Sequence, residues 1–155
     1  MAEAKAKSIL ASKSPFDAKH PDTLAVYCSD GRFTDAVEEL VRTLGFARLD
    51  VLCMPGGPGL FDLGSASFSA LEAVRSAATL LVRAHATKRV FLIQHEGCGY
   101  YRDRYRFESP EDIARQQHAD LREAAAWFAG AHPDVFVKAF FAKPEKGVVA
   151  FHPVG

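Results

Sequence analysis

The sequence predicts a single α/β domain with a mainly parallel central β-sheet, flanked by helices and closed by a C-terminal antiparallel hairpin. Three observations carry that reading. Short apolar runs at 23–28, 48–54 and 89–94 alternate with longer segments of helical periodicity. The run 89–94 is continuously apolar in its middle (Val90, Phe91, Leu92, Ile93), as a strand covered on both faces should be. After the last helical segment, Val135 to Phe141, then Pro144-Glu145-Lys146-Gly147, then Val148 to Phe151 reads as strand, turn, strand. The order β-α-β-α-β-α-β-β is that of a parallel sheet with a terminal hairpin.

Residues 1–22 are rich in Ala, Lys and Ser and are expected to form an arm or tail ahead of one domain spanning 23–155. The first strand, Thr23 to Cys28, is followed by Phe33, Val37, Leu40, Val41 and Leu44 on one helix face, which ends at Gly45, a natural C′ residue. A second strand, Arg48 to Met54, breaks at Pro55-Gly56-Gly57-Pro58-Gly59. Ser69 with Glu72 suggests a capping box for the next helix, whose apolar stripe is Leu71, Val74, Ala78, Leu81 and Val82. Ser109-Pro110-Glu111-Asp112 combines an N-cap, Pro at N1 and first-turn acids. The helix it starts carries Ile113, Leu121, Ala125 and Phe128 and stops near Gly130. There is no internal repeat and no inter-domain linker.

At 155 residues the chain suits one compact domain burying roughly two-thirds of its surface. The formal net charge is zero, which argues against steering toward nucleic acid or an anionic membrane. Weak self-repulsion at neutral pH also favours a homodimer or higher homo-oligomer. The first 19 residues lack an apolar core of signal-peptide length, and no run approaches the ~20 apolar residues of a membrane span, so a cytoplasmic protein is expected. An odd set of three cysteines (Cys28, Cys53, Cys98) argues for ligands, nucleophiles or core residues rather than a disulfide framework.

Cys28 ends the first strand, while His95 and Cys98 lie at and just past the end of the third. Strand C-termini in an open parallel sheet share one edge, where ligands bind. These residues can therefore converge as a Cys2His set that leaves one tetrahedral position for water, the arrangement of catalytic rather than structural zinc. Thiolate and imidazole together suit Zn2+ better than calcium or magnesium. In Cys28-Ser29-Asp30-Gly31-Arg32, Asp30 and Arg32 can meet as a charge-assisted pair beside that metal.

Cys28-x-Asp30-x-Arg32 followed by His95-x-x-Cys98-Gly99 resembles the signature of the β-class carbonic anhydrases. The likeness spans roughly residues 23–151. It implies that Cys28, His95 and Cys98 bind zinc and that Asp30 and Arg32 orient or gate the zinc-bound water. The implied activity is reversible hydration of carbon dioxide to bicarbonate, and the implied assembly a homodimer. Relatives in the family act on carbonyl sulfide or carbon disulfide, and a zinc protein without hydratase activity is the other alternative. Two thiolates nearly cancel the zinc charge, so its water would be less acidic than on a three-His site. The sequence departs from the family at Gln94, where a Gly usually precedes the zinc His, and at Pro55-Gly56-Gly57, in place of Asn-Ala-Gly. Gly57 in that loop is a candidate substrate contact. His85, His118 and Tyr100 are candidate proton carriers.

Other readings are weaker. Gly57-x-Gly59-x-x-Asp62 lacks the third Gly of a dinucleotide loop, and a turn packed beside the metal crevice is expected instead. Thr34 stands where a phosphatase-like Cys loop needs Arg. Cys53 reads as core. The basic and aromatic segment Tyr100 to Phe107 reads as part of a subunit interface or site entrance rather than an RNA contact. His20, His132 and His152, each beside a Pro, read as surface residues.

Overall fold

The computed structural model describes residues 8–155, so the first seven residues of the expected arm lie outside the described residues. Residues 8–22 contain no helix or strand. Arg48 pairs with Asp17 at 2.8 Å and donates to the Lys19 main-chain oxygen at 2.8 Å, and Arg89 pairs with Asp22 at 2.8 Å, tying this stretch to the domain.

The elements are β1 (Thr23–Tyr27), α1 (Thr34–Thr43), β2 (Asp50–Cys53), a 3-10 turn (Gly57–Phe61), α2 (Phe68–Ala84), β3 (Arg89–His95), α3 (Gly99–Arg104), α4 (Pro110–Ala131), β4 (Phe136–Glu145) and β5 (Val148–Val154). The sheet order is β2-β1-β3-β4-β5, with β5 antiparallel to β4 and every other pairing parallel. This is the predicted architecture with two short additions, the 3-10 turn and α3. Each is too brief to show a 3.6-residue period, which is why neither is visible in the sequence pattern.

Side chains alternate across the strands and build two cores. Leu24, Val26, Val90, Leu92 and Phe141 face α2, α4 and the 3-10 turn, meeting Phe61, Val74, Leu121 and Phe128. Ala25, Tyr27, Phe91, Ile93 and Phe140 face α1 through Phe33, Val37 and Val41. Cys53, on the edge strand β2, is half-buried at the margin of this second core. His152 is exposed against Glu145, and His20 stacks on His85 with ring centroids 3.8 Å apart. His132 is half-buried, edge-on to Trp127, and so is less superficial than its Pro neighbour suggests. No helix among the described residues is long and apolar enough to cross a membrane.

The helix ends explain one misplacement. The N-cap of α2 is Ser67, not Ser69: its backbone is extended and its Oγ accepts from the Ala70 N–H at 3.3 Å. The chain enters this helix from the buried pair Ser65–Ala66, so the backbone turns helical two residues before the Ser69–Glu72 pair. Ser109 caps α4 as expected, accepting from the Asp112 N–H at 3.1 Å and donating to the Asp112 carboxylate at 2.6 Å.

α1 closes in a Schellman motif at Gly45, with φ +93° and Phe46 N–H bonded to Val41 O. α2 closes the same way, but Ala86 occupies the left-handed position at φ +51°, with Thr87 N–H bonded to Val82 O. The hairpin turn is tighter than expected. It comprises Lys146 and Gly147 at φ +50° and +83°, a pairing that matches the twist of the strands, so β4 and β5 extend beyond the predicted limits.

A left-handed non-glycine residue costs about 1–2 kcal/mol, partly offset by the extra unfolded-state freedom of glycine. Ala86→Gly should therefore raise unfolding free energy by about 0.5–1 kcal/mol in urea titration. A loss of stability would contradict the strained C-cap.

Candidate metal centre

β1 and β3 are parallel neighbours in the register Tyr27↔Ile93, so both end at one edge of the sheet. Cys28 follows β1, His95 is the last residue of β3, and Cys98 is the N-cap of α3. One donor atom from each lies within 4.8 Å of the others, and all three residues are buried. The Cys28 and Cys98 sulfurs are 3.8 Å apart with both thiols free. Two zinc–sulfur bonds of about 2.3 Å at a tetrahedral angle place their sulfurs about 3.8 Å apart, so the spacing fits a shared zinc ion.

His95 is fixed in the matching tautomer. Its Nδ1 donates to the Glu96 main-chain oxygen at 2.9 Å, and Phe33 packs on the ring at a centroid distance of 4.2 Å. That leaves Nε2 as the lone-pair nitrogen, buried and without a hydrogen-bond partner. A buried polar atom is expected to be paired, and a metal ion between the two sulfurs would satisfy this one. The donor set and its burial therefore fit zinc. The sulfurs are unequal: a hydrogen bond from Cys98 pulls the Cys28 thiol well below the ordinary thiol range, and the Cys28 sulfur pushes Cys98 up. The neighbouring His95 ring, and after it the peptide N–H groups of Gly56 and Asp30, also favour the Cys28 thiolate, while burial opposes it.

Asp30 and Arg32 do meet. Arg32 donates from Nε to Asp30 Oδ1 at 2.9 Å and from Nη2 to Oδ2 at 2.5 Å, and its peptide N–H reaches Oδ1 at 3.1 Å. These bonds hold the Asp30 carboxyl down at about 2, so it is an ionised, acceptor-only group. The Asp30 side chain is 19% exposed against 73% for Arg32, so the guanidinium braces the carboxylate from the solvent side.

The Pro55–Gly59 stretch packs against the site as a turn. Gly57 is buried at φ +48°, and a Cβ there would lie 2.8 Å from the Cys28 nitrogen and the Tyr27 carbonyl carbon. The turn thus approaches the backbone of β1 more closely than any side chain permits. Segment 100–107 contributes Arg102, Tyr105 and Arg106 to a cavity of about 640 Å³ that also touches Cys98, Ile113 and Phe141. The candidate proton carriers separate clearly. His85 pairs with Asp50 at 2.7 Å, and Asp50 starts β2, so His85 sits at the opposite edge of the sheet. Tyr100 donates its hydroxyl to the Ser65 main-chain oxygen. His118 stacks on Phe141, a wall of the cavity, at 4.6 Å.

Sequence reasoning missed a polar cluster behind the donors: Gln94, Tyr101, Gln117 and Asp120, all fully or almost fully buried. Burial pushes the Tyr101 phenol and the Asp120 carboxyl up. The signal was helical phase, because Gln117 and Asp120 share the buried stripe of α4 with Leu121, Ala124 and Phe128.

Neither a protein-family profile nor a curated protein sequence matches the chain. Solved structures do: 56 chains match in fold. The carbonic anhydrase of Streptococcus mutans aligns with a TM-score of 0.60 at 15% identity, covering 92% of this chain and 87% of that one. Isoform I of the Trichomonas vaginalis β-carbonic anhydrases gives 0.54 at 14%, covering 96% and 89%. A β-carbonic anhydrase of Aspergillus fumigatus gives 0.54 at 16%, covering 88% and 77%. With its five-stranded sheet, its terminal antiparallel pair and a Cys-His-Cys cluster at the strand ends, the chain is β-carbonic-anhydrase-like in fold.

Proposed function

We propose that the chain is a zinc-dependent carbonic anhydrase that reversibly hydrates carbon dioxide to bicarbonate. The observation that carries this reading is the convergence of one donor atom each from Cys28, His95 and Cys98 within 4.8 Å, with His95 Nε2 buried and without a hydrogen-bond partner. Three protein donors leave one tetrahedral position for solvent, and a zinc ion held there supplies a Lewis acid that makes water a nucleophile at accessible pH.

The chain's own residues do the rest. The His95 Nδ1–H bond to Glu96 O leaves Nε2 as the free donor atom, and Phe33 packed on the ring restrains its rotation. Asp30, held ionised by Arg32, accepts a hydrogen bond from a reacting hydroxyl and thereby orients it. Ile113, Ala114 and Phe141 give the adjoining cavity an apolar side for an uncharged substrate, while Arg102 and Lys143 lie on its rim for an anionic product. His118 is the carrier best placed to exchange protons with that cavity. Exposed Ile9, Leu10 and Phe16 on the N-terminal stretch, together with zero net charge, support a homodimer or higher homo-oligomer. Light scattering on the purified chain should report a mass of at least two chains.

Stopped-flow hydration of carbon dioxide at pH about 8.5, where the less acidic water of a two-thiolate site would be deprotonated, should show zinc-dependent turnover. Cys98→Ala should abolish it. No rate above that control, with zinc bound, would favour a zinc protein without hydratase activity. Turnover of carbonyl sulfide or carbon disulfide in a parallel assay would move the substrate to a sulfur analogue.

Arg32→Lys replaces the two-pronged fork by a point charge and frees Asp30 to rotate. It should lower kcat/KM by about 10- to 100-fold while zinc content stays at one per chain. An unchanged rate would remove Asp30 and Arg32 from the mechanism.

A further inference from the structure

Four polar side chains behind the donor atoms, Gln94, Tyr101, Gln117 and Asp120, are each at most 1% exposed and take no part in the hydration chemistry. An unpaired amide or hydroxyl at such depth is strongly destabilising, so these groups must satisfy one another or the main chain. They do both. Gln94 Nε2 donates to Tyr101 Oη at 2.9 Å and to Gly56 O at 3.0 Å. Tyr101 donates to Asp120 Oδ2, and Gln116 donates to Asp120 Oδ1 at 2.7 Å. Gln117 Nε2 donates to the His95 main-chain oxygen at 2.8 Å and lies 3.4 Å from Gln94 Oε1.

The destinations of these bonds are informative. Gly56 belongs to the turn that brackets Cys28, where Met54 N–H bonds Tyr27 O and Ser29 N–H bonds Met54 O, each at 3.2 Å. His95 is held directly through its carbonyl. Tyr101 stands in the first turn of α3, whose N-cap is Cys98, with Arg102 N–H bonded to Cys98 O at 3.1 Å. The network thus bonds the main chain at Gly56 and at His95, reaches through Tyr101 the short helix that Cys98 caps, and ties these segments to α4. The 3-10 turn is shaped around it, because a Cβ on Gly59 would fall 1.9 Å from the Tyr101 hydroxyl.

We propose that Gln94, Tyr101, Gln117 and Asp120 are positioning residues that hold the segments bearing Cys28, His95 and Cys98 in metal-binding geometry before the ion arrives. This rests on the zinc reading above and adds that metal affinity is set by a preorganised frame behind the donors. Removing partners outside the donor set of a metal site lowers affinity by about 10- to 100-fold, whereas polar groups that only fill a core would lower stability alone.

The test uses the purified full chain, with zinc affinity measured by competition against a chromophoric chelator and a visible spectrum recorded on the cobalt-substituted form. Gln94→Leu, Gln117→Met and Tyr101→Phe should each weaken zinc binding by about 10- to 100-fold and shift the thiolate-to-cobalt charge-transfer band. Val41→Ala, in the core on the α1 face, should lower the melting temperature and leave affinity and spectrum unchanged. Tyr101→Phe deletes a single oxygen and carries the same expectation if Gln94→Leu fails to fold. Folded network variants that bind zinc within about twofold of the parent, with the parental spectrum, would overturn the positioning role alone. A parent that takes up neither metal would overturn the zinc reading itself, and the positioning role with it.

Discussion

The parallel pairing of β1 with β3 is the constraint on which the site depends. Its register carries both strands to the same sheet edge, so that Cys28 and His95, 67 positions apart in sequence, finish side by side. A parallel pair requires a crossover, and the two cores on the sheet faces are what hold the crossovers in place. Cys98 then joins through local geometry, because the bend after His95 runs through Gly97 at φ +70° into the N-cap of α3. Slipping β1 by one residue would reverse its side chains and lose the Cys28 donor along with the buried apolar face.

Around this edge the protein keeps groups that make little sense without a ligand. Two free thiols 3.8 Å apart and an unpartnered imidazole nitrogen are buried together, where desolvation is costly. A single soft cation at their centre would offset all three costs at once. The glycines of the 3-10 turn fit the same logic: Gly57 admits the backbone of Cys28, and Gly59 admits the hydroxyl of Tyr101. The exposed side of the site is different in character. Arg32 is largely solvated, and its fork on Asp30 is a surface pair that gains its value from what it aims rather than from stability.

Much of this was legible in the sequence because apolar runs announce strands and the candidate donors sit at their ends. Cys28, His95 and Cys98 could be placed together from topology alone, and Asp30–Arg32 from its two-residue spacing. Gln94 was visible only as a departure from a family pattern. Its partners lie 7, 23 and 38 positions away at Tyr101, Gln117 and Gly56, and no local periodicity links them. Ser69 resembles a cap in sequence although Ser67 is the cap, because a Ser-x-x-Glu spacing carries no information about where the preceding loop is buried. Helix α3 and the 3-10 turn, six and five residues long, fall below the length at which periodicity speaks.

An open zinc site of the catalytic kind at Cys28, His95 and Cys98, as proposed above, would hold the metal with two sulfurs and two lighter donors. Zinc K-edge X-ray absorption on the purified chain tests it most directly. The spectrum should show two sulfur donors at ~2.3 Å and two nitrogen or oxygen donors at about 2.0–2.1 Å, with one sulfur lost in Cys98→Ala. A shell of four sulfurs, or one of nitrogen and oxygen alone, would contradict it.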